Sequence, residues 1–139
     1  MDKPNIVYIH SHDTGRYIQP YGHAVPTPNL QRLAEEGVLF RQAFCSSPTC
    51  SPSRASLLTG MWAHCCGMLG LAHRGFAMPD FSRHMVNTLK RAGYRTVLAG
   101  FQHVAAWDRR HEIGYDLAPE RSKGPDGRND YAAVVTEFL

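Results

Sequence analysis

The sequence predicts an α/β fold with parallel strands, and three observations lead to that prediction. Two short segments rich in β-branched and aromatic residues, 5–11 and 94–99, lie far enough apart for a helical crossover between parallel strands. Apolar residues repeat at helical spacing in several stretches between them. The 139 residues are 43% hydrophobic and 19% charged, a composition that excludes a disordered or fibrous chain and suits one packed domain.

The first strand and the first helix have clear local signals. Residues 5–11 read NIVYIHS, a short apolar run typical of a buried parallel strand. After a polar loop with glycine and proline, Thr27 and Pro28 supply an N-cap and a first-turn proline. Gly37 predicts the end of this helix. Its predicted apolar face consists of Leu30, Leu33, Ala34 and Val38.

Two more helices and a second strand follow. A helix is predicted to start at Cys50-Ser51-Pro52 and to end at Gly60. Another is predicted from Asp80 to Gly93. Its apolar face would be Phe81, Met85, Leu89 and Ala92. Tyr94–Ala99, which reads YRTVLA, predicts the second strand.

The end of the chain predicts an incomplete domain. Residues 105–128 show little periodicity, although compact domains prefer short connections. A helix is predicted from Asp130 onward, with Tyr131, Val134, Val135 and Phe138 on one side, and no strand follows it. Because two parallel strands do not make a stable sheet, residues 1–139 are expected to be the N-terminal portion of a larger catalytic domain.

Composition excludes several classes of partner. The net charge of +3 comes from scattered lysines and arginines, so nucleic-acid binding is not predicted, whereas a small anionic substrate is compatible. No apolar run reaches the roughly 18 residues of a membrane span. The N-terminus lacks the pattern of a signal peptide, which leads us to expect a cytoplasmic protein. The four cysteines form no Cys-x-x-Cys pair and are expected to be reduced thiols.

The chemistry is expected at the start of the second predicted helix. Cys50 lies where backbone N–H groups and the positive end of the helix dipole can bind an anion. Arg54, about one turn further, can direct its guanidinium to the same anion. A nucleophile, amide donors and an arginine together suit sulfate or phosphate. A buried cysteine beside a surface arginine is the alternative on these residues alone.

The stretch Cys50-Ser51-Pro52-Ser53-Arg54, followed by ASLLTG, resembles the signature of the sulfatases in the alkaline-phosphatase superfamily. The resemblance continues from Pro4 to about His103. It includes Pro4-Asn5-Ile6 leading to His12-Asp13, Thr27-Pro28-Asn29-Leu30, and Gly100-Phe101-Gln102-His103. Gly67-Met68 and His103-Val104 are most similar to the heparan N-sulfatase (sulfamidase) branch. The fold so implied is an alkaline-phosphatase-like three-layer sandwich around a mostly parallel sheet, of which this chain is the N-terminal part.

The resemblance implies hydrolysis of a sulfate ester or an N-sulfate, possibly on a sugar. A separate formylglycine-generating enzyme would oxidise Cys50 to 3-oxoalanine (formylglycine). The hydrated aldehyde offers one hydroxyl to attack sulfur and a second to expel the sulfate. Arg54 would hold the formylglycine, and His103 would hydrogen-bond the diol or the sulfate. Asp13, His12 and the converted Cys50 would bind a divalent metal, Ca²⁺ in most sulfatases, that offsets the sulfate charge.

Two positions depart from the family pattern. His12 stands where the sulfatases usually have a first aspartate, and imidazole suits Zn²⁺, Mn²⁺ or Fe²⁺ better than Ca²⁺. His12 is expected either to bind the metal itself or to contact a residue that binds it. Phe101 stands at the position of the usual lysine and cannot contact sulfate as a cation. Neither departure removes the nucleophile. Both leave the identity of the metal and of the substrate undetermined.

Three further residues are candidates for binding substrate, namely His64, His73 and Trp107. The two histidines follow the nucleophile helix, and Trp107 follows His103. Other histidines and the Arg109-Arg110 pair are expected on the surface or in structural roles. Two other functions remain open. One is a phosphonate or phosphate ester hydrolase on the same scaffold, and the other is a non-catalytic anion-binding domain in which Cys50 stays a thiol.

Overall fold

A computed structural model describes residues 3–119 and 129–139 of the chain. It divides into two compact units, Met1–Phe44 and Cys45–Leu139, and each is described by itself. The last part of the aperiodic stretch, residues 120–128, lies outside the described residues.

In the first unit, the predicted first helix is present as α1, Pro28–Glu36, with its proline in the first turn. A short 3-10 helix, Gln19–Tyr21, precedes it. Thr27 lies at the N-cap position, but its side chain makes no capping bond, which corrects the predicted N-cap. Instead the Gln19 amide donates to Oγ1 of Thr27 at 3.1 Å, and the Thr27 amide donates to Oε1 of Gln19 at 3.2 Å. These two bonds hold the loop before α1 against its start.

The predicted strand at residues 5–11 does not form in the described part of the chain. Ile6, Val7, Tyr8 and Ile9 are all exposed there. A parallel strand is stable only when neighbouring strands take up its backbone hydrogen bonds and cover both faces. The predicted apolar face of α1 is likewise uncovered, because Leu30 and Leu33 are exposed within this unit.

In the second unit, helix α2 spans Cys50–Thr59, as predicted. Gly60 follows with φ of 68°, a left-handed conformation that glycine adopts without strain, and its amide donates to the Ser56 carbonyl at 2.9 Å. Ser51, Pro52, Ala55 and Ser56 are buried, so one side of α2 faces the core. Cys50 is left at the first position of the helix.

The third predicted helix is divided at His84. A 3-10 helix, Phe81–Arg83, is followed by α3, Met85–Arg91. His84 has an extended backbone, and its Nδ1 accepts a hydrogen bond from the Val86 amide at 3.2 Å. The histidine therefore caps a new helix instead of continuing the old one. Met85 and Ala92, predicted on the apolar face, are exposed, and Val86 is buried instead.

The second predicted strand is reduced to a single parallel bridge between Val97 and Leu117. No residue in the described ranges lies in a strand longer than an isolated bridge, so the predicted sheet is not present there. The bridge is reinforced at Asp116, whose Oδ2 accepts from the Thr96 amide at 2.8 Å and whose Oδ1 accepts from Nζ of Lys90 at 2.9 Å. These bonds lower the pKa of Asp116 to about 2.

The stretch after His103 is more regular than predicted. It contains a 3-10 helix, Trp107–Ile113. The C-terminal helix α4 spans Tyr131–Thr136, and Asp130 caps it by accepting from the Ala133 amide at 3.0 Å.

The core of the second unit lies between α2 and the segments that follow it. Met68, Met78 and Ile113 are fully buried there, and each is worth about 1.5–3 kcal/mol of burial. The remaining members of the core are Ala55, Cys66, Ala72, Phe81, Val104 and Ala105. No helix among the described residues is long and apolar enough to cross a bilayer.

Candidate active site at the start of helix α2

Cys50 is the first residue of α2 and is half-buried. Thr49 before it gives no side-chain cap, and the first helical bond runs from the Ser53 amide to the Thr49 carbonyl at 3.0 Å. The N–H groups of Cys50 and Ser51 lie ahead of that bond, where helix N–H groups bind anions. The half-buried Arg54 follows about one turn later. Cys50, the first amides of α2 and Arg54 therefore lie at the same end of this helix.

Ser51 connects this helix end to a second segment. Its side chain is fully buried, and its Oγ accepts a hydrogen bond from the Ala72 amide at 3.0 Å. Ala72 begins the 3-10 helix Ala72–Arg74. His73 is therefore held on a segment that is hydrogen-bonded to the neighbour of Cys50.

Phe101 connects the helix to a third segment. The Arg54 guanidinium lies over the Phe101 ring, 5.7 Å from its centroid. The ring of Phe101 also lies 4.8 Å from the ring of His103, at a 40° tilt. The residue at the usual lysine position thus contacts two of the three predicted catalytic side chains, Arg54 and His103. Its contact with arginine is a cation–π interaction, which lysine could not make.

The backbone at His103 is strained into the left-handed region, with φ of 58°. Gln102 stabilises this turn, because its buried side chain accepts from the amides of Val104 and Ala105 and donates to the Ala105 carbonyl. Strained non-glycine residues are often found at functional sites. The Gln102 bonds explain how His103 is held in this conformation.

His103 and His73 are bonded to each other. Nδ1 of His73 lies 2.9 Å from Nε2 of His103, and the ring planes differ by 7°. Arg54, Phe101, His103 and His73 thus form one continuous series of contacts, which we call the Arg54–His73 row. The row combines two predicted catalytic residues with one predicted substrate-binding residue.

Trp107 lines a cavity of about 450 Å³ beside this row. Phe101, Gln102 and Arg110 also line it. The Arg110 guanidinium lies over the Trp107 ring, 4.0 Å from its centroid. Arg110, which was expected on a solvated face, is partly exposed and lines the wall of this cavity. The cavity combines an aromatic ring with a cation, which suits an anionic or sugar-like group.

Other predicted site residues are not brought into the row. His64 is exposed in the turn after α2 and makes no hydrogen bond or ring contact with the described residues. His12 and Asp13 belong to the first unit, where Nδ1 of His12 lies 3.0 Å from Oδ2 of Asp13. Across residues 3–119 and 129–139, no group of three His, Cys, Asp or Glu side chains could hold a metal ion. The four cysteines are free thiols, as expected.

Sequence reasoning missed Ser51 and Gln102, which hold the site together. Ser51 is one of several serines in the helix start, and nothing local indicates that it bonds to Ala72, 21 residues away. Gln102 stands between two conspicuous neighbours, Phe101 and His103, and its turn is set by its own side chain. A glutamine directly before a histidine carries no pattern that would predict this turn.

Comparisons with known proteins identify the family of the chain. The sulfatase family model matches residues 4–134. An ulvan-active sulfatase of Formosa agariphila is 33% identical over 125 residues, covering 77% of this chain and 21% of that protein. Human N-sulphoglucosamine sulphohydrolase is 47% identical over 83 residues, covering 58% of this chain and 16% of that protein. An N-acetylgalactosamine-6-O-sulfatase of Bacteroides thetaiotaomicron is 39% identical over 138 residues, covering 96% of this chain and 24% of that protein.

The chain spans a quarter or less of the length of these relatives. No solved structure matches it. The family match extends past His103 to residue 134, which is further than the sequence resemblance indicated. The resemblance drawn from the motif at Cys50 is thus confirmed: the chain belongs to the sulfatase family.

Proposed function

We propose that the protein hydrolyses a sulfate ester or an N-sulfate and that Cys50, converted to formylglycine, is its nucleophile. The observation that carries this proposal is the Cys-x-Pro-x-Arg stretch at the start of α2, where Cys50 is the first helical residue and Arg54 follows about one turn later. Membership of the sulfatase family supports it. Conversion requires a formylglycine-generating enzyme that reads this short stretch.

The helix end suits the converted residue. An aldehyde hydrate at Cys50 supplies one hydroxyl to attack sulfur and a second hydroxyl whose deprotonation expels the sulfate. Half-burial of Cys50 allows substrate to enter and limits the access of bulk water. The amides of α2 and the positive end of its dipole stabilise negative charge on sulfate oxygens.

Arg54 and His103 are proposed to act on either side of Phe101. The Arg54 guanidinium, held over the Phe101 ring, donates hydrogen bonds to the anion. His103 moves the proton that must leave a hydroxyl at Cys50 or reach the leaving oxygen or nitrogen. Phe101 supplies no charge and keeps the two polar side chains apart.

We propose a divalent metal with Asp13 as one of its ligands. A carboxylate fits a hard cation, and Asp13 is highly exposed, with its Oδ2 next to His12. Because the His12 imidazole directs Nδ1 at that carboxylate, His12 is proposed as the partner that orients Asp13 or as a second ligand. The described residues supply only part of a ligand set. The cation, Ca²⁺ in preference to Mn²⁺ or Zn²⁺, would neutralise charge on the sulfate.

The substrate is proposed to be a small sulfated saccharide. The cavity beside the Arg54–His73 row, with Trp107 and Arg110 in its wall, has room for a sugar and a cation for an acidic group. His64 and His73 are proposed at its rim. Two of the relatives are named for sulfated amino sugars. In the complete protein we propose the alkaline-phosphatase-like three-layer sandwich, to which this chain contributes the N-terminal part.

The test combines a mass measurement with a comparison of substrates. Conversion of the thiol to the aldehyde should lower the mass of the Cys50 peptide by about 18 Da. A Cys65→Ala variant, which changes another cysteine, should convert equally. The matured protein should hydrolyse aryl sulfates faster than aryl phosphates. Faster phosphate turnover would identify a phosphate ester hydrolase, and an unconverted thiol that still binds sulfate would identify a binding domain.

A further inference from the structure

The bond between His73 and His103 lies in the plane of both rings. The two nitrogens are 2.9 Å apart, and the planes differ by only 7°. Parallel rings stacked face to face would hold every atom of one ring farther than this from the other. The ring centres are 5.2 Å apart. This separation is longer than the nitrogen–nitrogen distance by about two ring radii, one for each ring. The two nitrogens therefore lie on the line between the ring centres, in a straight N–H···N bond.

A straight bond between two imidazoles couples their proton positions, because one of the two facing nitrogens must donate and the other must accept. A neutral imidazole has one donor and one acceptor nitrogen, so the nitrogen that faces the partner determines the role of the other. Nε2 of His103 faces His73, and Nδ1 of His103 is buried on the inner side. His73 is exposed. The state of the inner nitrogen of His103 therefore depends on His73.

His73 is itself held in place by the nucleophile helix. The amide of its neighbour Ala72 donates to the buried Oγ of Ser51 at 3.0 Å. Gly75 closes the same short 3-10 helix in a left-handed conformation. The Phe101 ring also packs against the His103 imidazole, with 4.8 Å between the ring centroids. His103 is thus fixed between an aromatic side chain and a histidine that is anchored to the helix of Cys50.

We propose that His73 is a positioning residue that acts through His103. It holds the His103 ring in one orientation and couples the proton at Nε2 of His103 to the tautomer of His73. A carboxylate or a backbone carbonyl has this task behind many functional histidines, and here an imidazole performs it. The catalytic part of the inference rests on the proposed sulfate hydrolysis, whereas the pairing itself does not.

Two amide variants of the complete, matured protein test the proposal. The amide of His73→Asn can occupy the position of Nδ1 and bond to His103, whereas the amide of His73→Gln lies nearer the position of Nε2. We expect His73→Asn to keep most of the wild-type kcat for an aryl sulfate. His73→Gln should lower kcat about 10–100-fold with little change in KM. His111→Asn, at an exposed histidine outside the row, should match the wild type. Equal kcat values in the Asn and Gln variants would overturn the proposal.

Nitrogen-15 spectra of the His103 ring provide a measurement that is independent of activity. The His103 tautomer populations of His73→Asn should stay close to those of the wild type, and those of His73→Gln should change. An unchanged His103 spectrum in His73→Gln would refute the pairing. If the wild type hydrolyses no sulfate while its His103 tautomer still responds to His73, the pairing is supported and the proposed function is refuted.

Discussion

At the scale of single residues, Cys50 offers the sharpest substitution because the proposed mechanism needs two hydroxyls on one carbon. Cys50→Ala should abolish aryl sulfate hydrolysis, since no nucleophile remains. Cys50→Ser should leave at most a trace, because serine can accept the sulfuryl group but has no second hydroxyl to expel it. Both variants should keep α2 intact, since Cys50 is only half-buried. Full activity of the serine variant, measured as released phenol, would remove formylglycine from the mechanism.

Asp13 allows a second residue-level prediction, with metal content as its readout. Its φ of 53° is left-handed, a conformation that asparagine tolerates and alanine does not. Asp13→Asn therefore removes the charge with little strain in the backbone. Asp13→Ala removes the charge and also strains the left-handed backbone at this position. Both should reduce bound divalent metal, measured by metal analysis of the dialysed protein, and unchanged stoichiometry would contradict the assignment. His12→Asp should shift preference toward Ca²⁺ if His12 is a ligand.

At the scale of elements, the N-cap residue of α3 is His84, a histidine whose side chain resists protonation. His84 is fully buried beside the ring of Tyr115, and burial lowers its pKa from 6.5 to about 4. The same ring must stay neutral at Nδ1 to accept from the Val86 amide. Protonation therefore removes the cap and places a charge in the core.

The sign of the resulting pH dependence follows from the two pKa values. Between pH 6.5 and 4 the unfolded chain binds a proton at His84 and the folded chain does not. The free energy of unfolding should therefore fall as the pH drops through this range, by on the order of 3 kcal/mol in total. His84→Asn keeps an acceptor at the N-cap and cannot titrate, so its stability should depend less on acid. Urea denaturation at several pH values measures both, and equal slopes would contradict the assignment.

At the scale of the whole molecule, much apolar surface of the described residues is uncovered. Ile9 is 84% exposed and Phe44 is 90% exposed. We therefore expect residues 1–139, expressed alone with a formylglycine-generating enzyme, to unfold at low temperature with little cooperativity and to lack sulfate turnover. Thermal unfolding and an aryl sulfate assay check this. A cooperative transition with metal-dependent turnover would show that this length forms a complete enzyme.

How much of the molecule the sequence predicted depends on how local each signal is. The bounds of α2 follow from residues next to them, such as Pro52 and Gly60, and were predicted correctly. Pairing between strands depends on distant partners, so the bridge from Val97 to Leu117 was not foreseen. The site divides in the same way. Arg54 follows from its spacing to Cys50, whereas the bond between His73 and His103 joins residues 30 positions apart and has no local signal.

The bonds that tie Thr96 to Asp116 have a consequence for the chain between them. The two ends of this segment, which are 20 residues apart in sequence, are joined by a hydrogen bond from the Asp116 amide to the Thr96 carbonyl at 3.1 Å. A closed loop tolerates insertions cheaply, because doubling its length costs only about 0.6 kcal/mol in closure entropy. Because Val104 and Ile113 in this segment are buried in the core, the exposed residues around Trp107 are the part that could lengthen while Thr96 and Asp116 stay joined. Such an insertion would change the size of the pocket without altering the helix that carries Cys50.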